Sequence, residues 1–72
     1  SNNHHVGAPM PGMIGLMRVK VGDNVKEGDA LLTMEAMKME TILRSEKMGV
    51  VKQVYVQVGD TVESGDLLIV IE

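Results

Sequence analysis

The residue with the clearest potential for chemistry in this 72-residue sequence is Lys38. It lies within the run Glu35-Ala36-Met37-Lys38-Met39-Glu40, with a methionine on each side and a glutamate near each end. A lysine becomes a nucleophile only after it loses its proton, which in enzymes requires burial or a neighbouring cation. The sequence neighbours of Lys38 are carboxylates instead. We therefore predict that Lys38 is modified by another enzyme and that the isolated chain is not itself an enzyme.

An internal repeat surrounds this run. A shift of 37 positions places residues 12–35 on residues 49–72 without a gap. Two copies are too few for a solenoid, which needs about three, so the repeat predicts a closed domain with quasi-two-fold symmetry. Ten of the 24 aligned pairs are identical: Gly12/Gly49, Val19/Val56, Val21/Val58, Gly22/Gly59, Asp23/Asp60, Val25/Val62, Gly28/Gly65, Asp29/Asp66, Leu31/Leu68 and Glu35/Glu72.

Apolar and polar residues alternate within each copy, which predicts strands with one buried face. The residues predicted to face inward are Met17, Val19, Val21, Val54, Val56 and Val58. The pattern Val-Gly-Asp-x-Val-x-x-Gly-Asp, at 21–29 and 58–66, predicts turns in which glycine adopts a positive φ, and its second valine is predicted to point into the core. Residues 5–8 match 42–45 by the same offset, so Val6 and Leu43 are predicted to be equivalent.

Eight short strands result, at 5–9, 12–21, 24–27, 30–36, 39–45, 49–58, 61–64 and 67–72. Strands this short need covered edges. The predicted fold class is therefore all-β: a flattened β-barrel (barrel-sandwich hybrid) of two four-stranded antiparallel sheets. Lys38 would then lie at the tip of the hairpin formed by 30–36 and 39–45. Because a hairpin tip is normally polar, Met37 and Met39 are predicted to form an exposed recognition surface and not part of the core.

Composition excludes several classes of function. The net charge is −3 and the basic residues are scattered, which argues against a nucleic-acid partner. No apolar segment approaches the ~20 residues of a membrane span, so no membrane association is expected. The absence of cysteine excludes disulfides and fits a reducing compartment. His4 and His5 lack a third ligand and are interpreted as part of an N-terminal linker, so no metal site is predicted.

The chain resembles the biotinyl domains of biotin-dependent carboxylases. The residues that carry the resemblance are the motif Ala36-Met37-Lys38-Met39, the opening segment Ala8-Pro9-Met10-Pro11-Gly12 and the repeated Gly-Asp turns. It covers residues 7–72, which leaves residues 1–6 as a linker or an expression remnant. The gapless repeat leaves no room for the inserted thumb of some acetyl-CoA carboxylase carriers. The segments His5–Gly12 and Met39-Glu40-Thr41 look most like the C-terminal domain of pyruvate carboxylase.

The resemblance implies a biotin carboxyl carrier. A biotin protein ligase would attach biotin covalently to Lys38, and Met37, Met39, Ala36 and Glu35 would contribute to recognition by the ligase. The attached biotin would then shuttle an activated carboxyl group from a biotin carboxylase domain to a carboxyltransferase domain. In pyruvate carboxylase the acceptor is pyruvate, which becomes oxaloacetate. The implied location is the bacterial cytoplasm or the mitochondrial matrix.

Two other classes remain open from the sequence. Lipoyl carriers share the barrel and the hairpin lysine, but their motif is typically Asp-Lys-Ala, whereas residues 37–39 are Met-Lys-Met. An unmodified barrel that serves only as an interaction module would make the position of Lys38 accidental. An independent enzyme is disfavoured, because the Gly-Asp turns lack the Gly-Lys-Ser/Thr of a phosphate loop.

Overall fold

The computed structural model describes residues 4–72 and contains eight strands in that range. They pair in two four-stranded sheets, in the orders β1-β8-β6-β3 and β5-β4-β2-β7, and every pairing is antiparallel. The predicted fold class is confirmed. The strands are β1 His4–Gly7, β2 Gly12–Met17, β3 Asn24–Val25, β4 Ala30–Ala36, β5 Met39–Arg44, β6 Gly49–Val54, β7 Thr61–Val62 and β8 Leu67–Ile71.

Strand register shows the quasi-two-fold symmetry directly. Val6 pairs with Ile69 in one sheet, and Leu43 pairs with Leu32 in the other. The two pairs are related by the 37-residue offset, so the predicted equivalence of Val6 and Leu43 is confirmed. We call β5-β4-β2-β7 the hairpin sheet, because it contains both strands that flank Lys38, and the other the second sheet.

The core lies between the two sheets and is entirely aliphatic. Leu31 and Leu68, which are related by the repeat, are both 0% exposed. Val25 and Val62 are also buried, as predicted for the second valine of each turn pattern. The buried cluster consists of Val6, Ala8, Ile14, Val25, Leu31, Leu32, Met34, Val51, Val62, Leu68, Ile69 and Ile71.

Four turns of one type connect the short strands. In each, the third residue is a glycine with φ between 88° and 98°, which is typical of a type II turn. The aspartate that follows accepts a hydrogen bond on its carboxylate from the backbone N–H three residues earlier, at 2.8–3.0 Å, and its own N–H returns one. These aspartates are therefore turn residues, as the sequence predicts. The bonded pairs are Lys20/Asp23, Lys26/Asp29, Gln57/Asp60 and Glu63/Asp66.

The largest differences from the predicted strands are in β2, which ends at Met17, and in β6, which ends at Val54, each four residues before the predicted end; β1, β3 and β7 end two residues early. After β2 the chain passes from the hairpin sheet to the second sheet: the Arg18 N–H donates to Leu31 of β4, whereas the Gly22 N–H donates to Val51 of β6. After β6 it passes in the opposite direction: the Tyr55 N–H donates to Leu68 of β8, whereas the Gly59 N–H donates to Ile14 of β2. A segment that crosses between sheets cannot continue to alternate between one buried and one exposed face.

The predicted inward-facing residues consequently divide into two groups. Val21 and Val58, at the far end of the crossing segments, are 59% and 58% exposed, so their assignment to the buried face is wrong. The other four are partly buried and pack against the core cluster, as predicted: Met17, Val19, Val54 and Val56.

Residues 4–6 belong to the folded domain and not to a linker. His4 pairs with Ile71 as part of β1, and Val6 is in the buried core cluster. His4 is the first residue of β1, and its Nε2 atom lies 3.7 Å from Glu46 Oε1. The remaining part of the predicted linker, residues 1–3, lies outside the described residues.

Candidate functional site

The connection between β4 and β5 is a two-residue turn. Ala36 and Met39 form the last pair of the hairpin, which leaves Met37 and Lys38 as the loop. Their φ angles are +53° and +65°. Positive φ at both loop residues defines a type I′ turn, for which Asn-Gly is the preferred sequence. A side-chain-bearing residue in this conformation costs roughly 1–2 kcal/mol, so the turn presents two side chains at an energetic cost.

The side chains at the tip point away from the protein. Met37 is 90% exposed and Met39 is 68% exposed, and Lys38 between them is exposed as well. Within residues 4–72 the Lys38 ammonium forms neither a hydrogen bond nor an ion pair. The predicted position of Lys38 at a hairpin tip and the predicted exposure of the two methionines are confirmed. The amine is accessible from outside without any rearrangement of the barrel.

The base of the hairpin differs between its two faces. Ala36 is 8% exposed, so little of its side chain is available to a partner. Glu35 is exposed and pairs with Glu40 on one side and with Met13 on the other. Like charges opposite each other destabilise a sheet, yet both carboxylates are retained beside the lysine.

The tip is held by the most buried strand of the hairpin sheet. Within β4, Leu31, Leu32 and Met34 are part of the core cluster. β4 is hydrogen-bonded on both edges, to β5 and to β2. The lysine therefore projects from a strand whose direction is set by core packing.

Other reactive side chains among residues 4–72 do not assemble into a second site. No group of three His, Asp or Glu side chains within residues 4–72 could hold a metal ion. Lys20, Lys26 and Lys52 are solvent-exposed, as expected for surface lysines. In the same part of the chain, no helix is both long and apolar enough to cross a membrane.

Sequence reasoning did not identify the left-handed conformation of the turn. Neither Met37 nor Lys38 is a glycine or an asparagine, the two residue types that usually signal a positive φ. The signal was nevertheless available in the spacing: predicted strands at 30–36 and 39–45 leave two residues for the loop, and two-residue hairpin loops are mostly of types I′ and II′.

Comparison with known proteins identifies the family. A family model described as biotin-requiring enzyme matches residues 4–71. The chain belongs to this family. The match starts at the first residue of β1, which agrees with the inclusion of residues 4–6 in the fold, and the resemblance to biotinyl domains is confirmed.

The relatives with similar sequences are carboxylases of several kinds. The chain is 61% identical over 46 residues to the propionyl-CoA carboxylase alpha chain of Ruegeria pomeroyi, an alignment that covers 64% of the chain and 7% of that protein. It is 53% identical over 54 residues to pyruvate carboxylase of Staphylococcus aureus, covering 75% and 5%. The chain thus spans less than a tenth of these relatives' length. It is a biotin carboxyl carrier domain of the kind found in biotin-dependent carboxylases.

Solved structures with the same fold come from two different enzyme systems. Urea carboxylase of Kluyveromyces lactis matches with a TM-score of 0.92 and 33% identity, over 100% of this chain and 6% of that one. The lipoyl domain of the 2-oxoglutarate dehydrogenase complex of Azotobacter vinelandii matches with a TM-score of 0.83 and 27% identity, over 94% of both chains. The same fold therefore occurs in a carboxylase and in a lipoyl domain, so the fold alone does not say which group a lysine would carry.

Proposed function

We propose that Lys38 is the attachment site of covalent biotin and that the chain carries carboxyl groups between two active sites of a larger carboxylase. The observation that supports this most strongly is the geometry of one amine. Lys38 is exposed, has no hydrogen-bond or ion-pair partner among residues 4–72, and lies at the tip of a two-residue turn in a member of the biotin-requiring enzyme family. Met37 and Met39 flank it as an apolar surface for the ligase, and Glu35 supplies a negative charge next to that surface.

The residues at the tip fit an attached biotin. Bound biotin supplies a ureido nitrogen that can hold a carboxyl group, which no side chain of the protein provides. Lys38 supplies the amine, and the amide that forms replaces an ammonium and its charge. Loss of the charge lowers the cost of entering a dry active site. The type I′ turn keeps the modified side chain outside the barrel.

The proposed partners are a biotin protein ligase, a biotin carboxylase domain and a carboxyltransferase domain. A carrier tethered to both enzymatic domains raises the effective concentration of its lysine arm at each. The small share of the relatives' length that this chain spans is consistent with such a tether. The location proposed for the assembly is the bacterial cytoplasm or the mitochondrial matrix.

Pyruvate is the proposed acceptor. The alignment with pyruvate carboxylase covers more of the chain than that with propionyl-CoA carboxylase, 75% against 64%, although identity is higher in the latter. The test is the acceptor dependence of the carboxylase that contains this domain. We expect ATP consumption that depends on bicarbonate and pyruvate. Turnover with propionyl-CoA or methylcrotonyl-CoA, and none with pyruvate, would assign the domain to another member of the group.

Carrier function can be tested on the chain itself. The biotinylated chain is incubated with a biotin carboxylase, ATP and labelled bicarbonate, and label on the protein is counted before and after acid treatment. We expect acid-labile label that depends on ATP, with the unmodified chain as the matched control. Equal labelling of modified and unmodified protein would contradict the proposal, as would the absence of label on a chain shown to carry biotin.

A further inference from the structure

Gly12, the first residue of β2, lies against the base of the Lys38 hairpin. A Cβ atom placed on Gly12 would be 2.6 Å from the carbonyl oxygen of Glu35 and 3.2 Å from the Cβ of Ala36. Real Cβ atoms do not approach a backbone oxygen so closely, and this oxygen cannot withdraw unless β4 moves. Only glycine fits here without displacing the end of the strand that leads into the turn.

The end of β4 is thereby held from both sides. On one side Ala36 pairs with Met39 across the turn. On the other side Gly12 lies in close approach to Glu35 and Ala36, while its own outer edge pairs with Val62 of β7. Left-handed residues such as those of the turn persist only where the surrounding structure determines their conformation. The close approach of β2 is part of that surrounding structure.

We propose that Gly12 is a positioning residue for the acylation of Lys38. The missing side chain lets β2 support the last two residues of β4 and so hold the type I′ turn in the geometry that the ligase acts on. This inference rests on the proposed biotinylation of Lys38. Gly12 itself lies on β2, outside the Glu35–Glu40 run, and acts through Ala36.

The repeat provides a matched control. Gly49, the counterpart of Gly12, is equally crowded: its Cβ would lie 2.7 Å from the carbonyl oxygen of Glu72 and 2.7 Å from Cγ2 of Ile71. The crowding there falls on the end of β8 in the second sheet, which does not contain the Lys38 hairpin. An alanine at Gly49 therefore introduces the same kind of strain without pressing on the hairpin.

The test compares Gly12→Ala with Gly49→Ala in the 72-residue chain. Biotinylation by a biotin protein ligase is followed at varied carrier concentration, at a temperature where urea unfolding shows both variants folded. We expect Gly12→Ala to lower kcat/KM for the carrier by about tenfold, since small misplacements of a reacting group are costly. Gly49→Ala should change it by less than about twofold, with a similar loss of stability.

Amide chemical shifts provide a readout of position that is independent of the ligase. Those of Met37, Lys38 and Met39 should move in Gly12→Ala and stay in place in Gly49→Ala. Equal rates for Gly12→Ala and wild type, or equal losses in the two variants, would contradict the role of Gly12. A wild-type chain that accepts no biotin would instead contradict the proposed function.

A measurement on the wild-type chain keeps the inference testable if Gly12→Ala does not fold. Backbone ¹⁵N order parameters of Met37 and Lys38 report whether the turn has one fixed geometry. We expect values near ~0.85, as in rigid strands. Values below ~0.6 would mean that there is no fixed turn for Gly12 to hold, and the proposal would be overturned.

Discussion

The two copies of the repeat build matching half-barrels but differ at the ends of their most buried strands. In the first copy β4 continues through Met37 and Lys38 and returns as β5. In the second copy β8 ends at Ile71, opposite the start of β1 at His4. Since the core residues of the two halves correspond, the barrel itself does not distinguish one end from the other. The proposed attachment site lies in the connection between the copies, where Met37 and Lys38 form the turn.

The turns show the same contrast in another form. In the four Gly-Asp turns a glycine adopts the positive φ, and an aspartate stabilises the turn through its carboxylate. At the hairpin tip Met37 and Lys38 adopt the positive φ, which is sterically unfavourable for residues with a side chain. The scaffold turns therefore favour stability, whereas the tip gives up stability in order to present particular side chains.

The largest expected effects concern the symmetric core. Leu31→Ala and Leu68→Ala each remove a fully buried side chain from equivalent places, so each should reduce the free energy of unfolding by about 2–5 kcal/mol. Urea unfolding measures both losses. Val21→Ala and Val58→Ala, at exposed positions, are the controls and should stay within about 0.5 kcal/mol of wild type. A large difference between the two leucine variants in the loss of free energy of unfolding would show that the two halves are not equivalent.

The next effect concerns the strained turn. Met37→Asn should raise the free energy of unfolding by about 0.5–1 kcal/mol, because asparagine tolerates a left-handed conformation better than other residues. The same change should slow biotinylation, because an apolar contact for the ligase is lost. Met37→Leu is the control and should give no gain in stability. If Met37→Asn is less stable than wild type, the turn is not strained as described.

The smallest expected effect is a difference between two equivalent turns in how stability depends on pH. The backbone N–H and the ammonium of Lys20 hold the pKa of the Asp23 carboxyl below its usual value near 3.8. A lowered folded-state pKa stabilises the fold above the unfolded pKa of about 3.9, and the contribution is lost as pH falls through the folded value. In the second copy Asp60 bonds to Gln57, which has no charge.

Asp23→Asn should therefore reduce the loss of stability between about pH 5 and pH 2 by more than Asp60→Asn does. Urea unfolding at a series of pH values gives the two slopes. If the free energy of unfolding falls equally with pH in the wild type and in Asp23→Asn, the Lys20 interactions contribute nothing to folding.

Much of this architecture is predictable from the sequence because the repeat supplies two observations of each element. The strand count, the burial of Val25 and Val62 and the place of Lys38 all follow from alternation and spacing. The ends of β2 and β6 do not, because alternation continues through Val21 and Val58 although the chain there crosses between sheets. The linker assignment fails for residues 4–6, although the repeat already predicts a strand from residue 5. The pairing of His4 with Ile71 joins the two ends of the sequence and has no local signal.

The central claim is that the barrel presents one lysine for acylation, and intact-mass spectrometry tests it most directly. The chain is incubated with biotin, ATP and a biotin protein ligase, beside a Lys38→Arg variant and a parallel reaction with lipoate and a lipoate ligase. We expect the wild type to gain the mass of one biotinyl group, mapped to Lys38 by fragmentation, and Lys38→Arg to remain folded and unmodified. Biotin on the arginine variant, or a lipoyl group and no biotin on the wild type, would contradict the account.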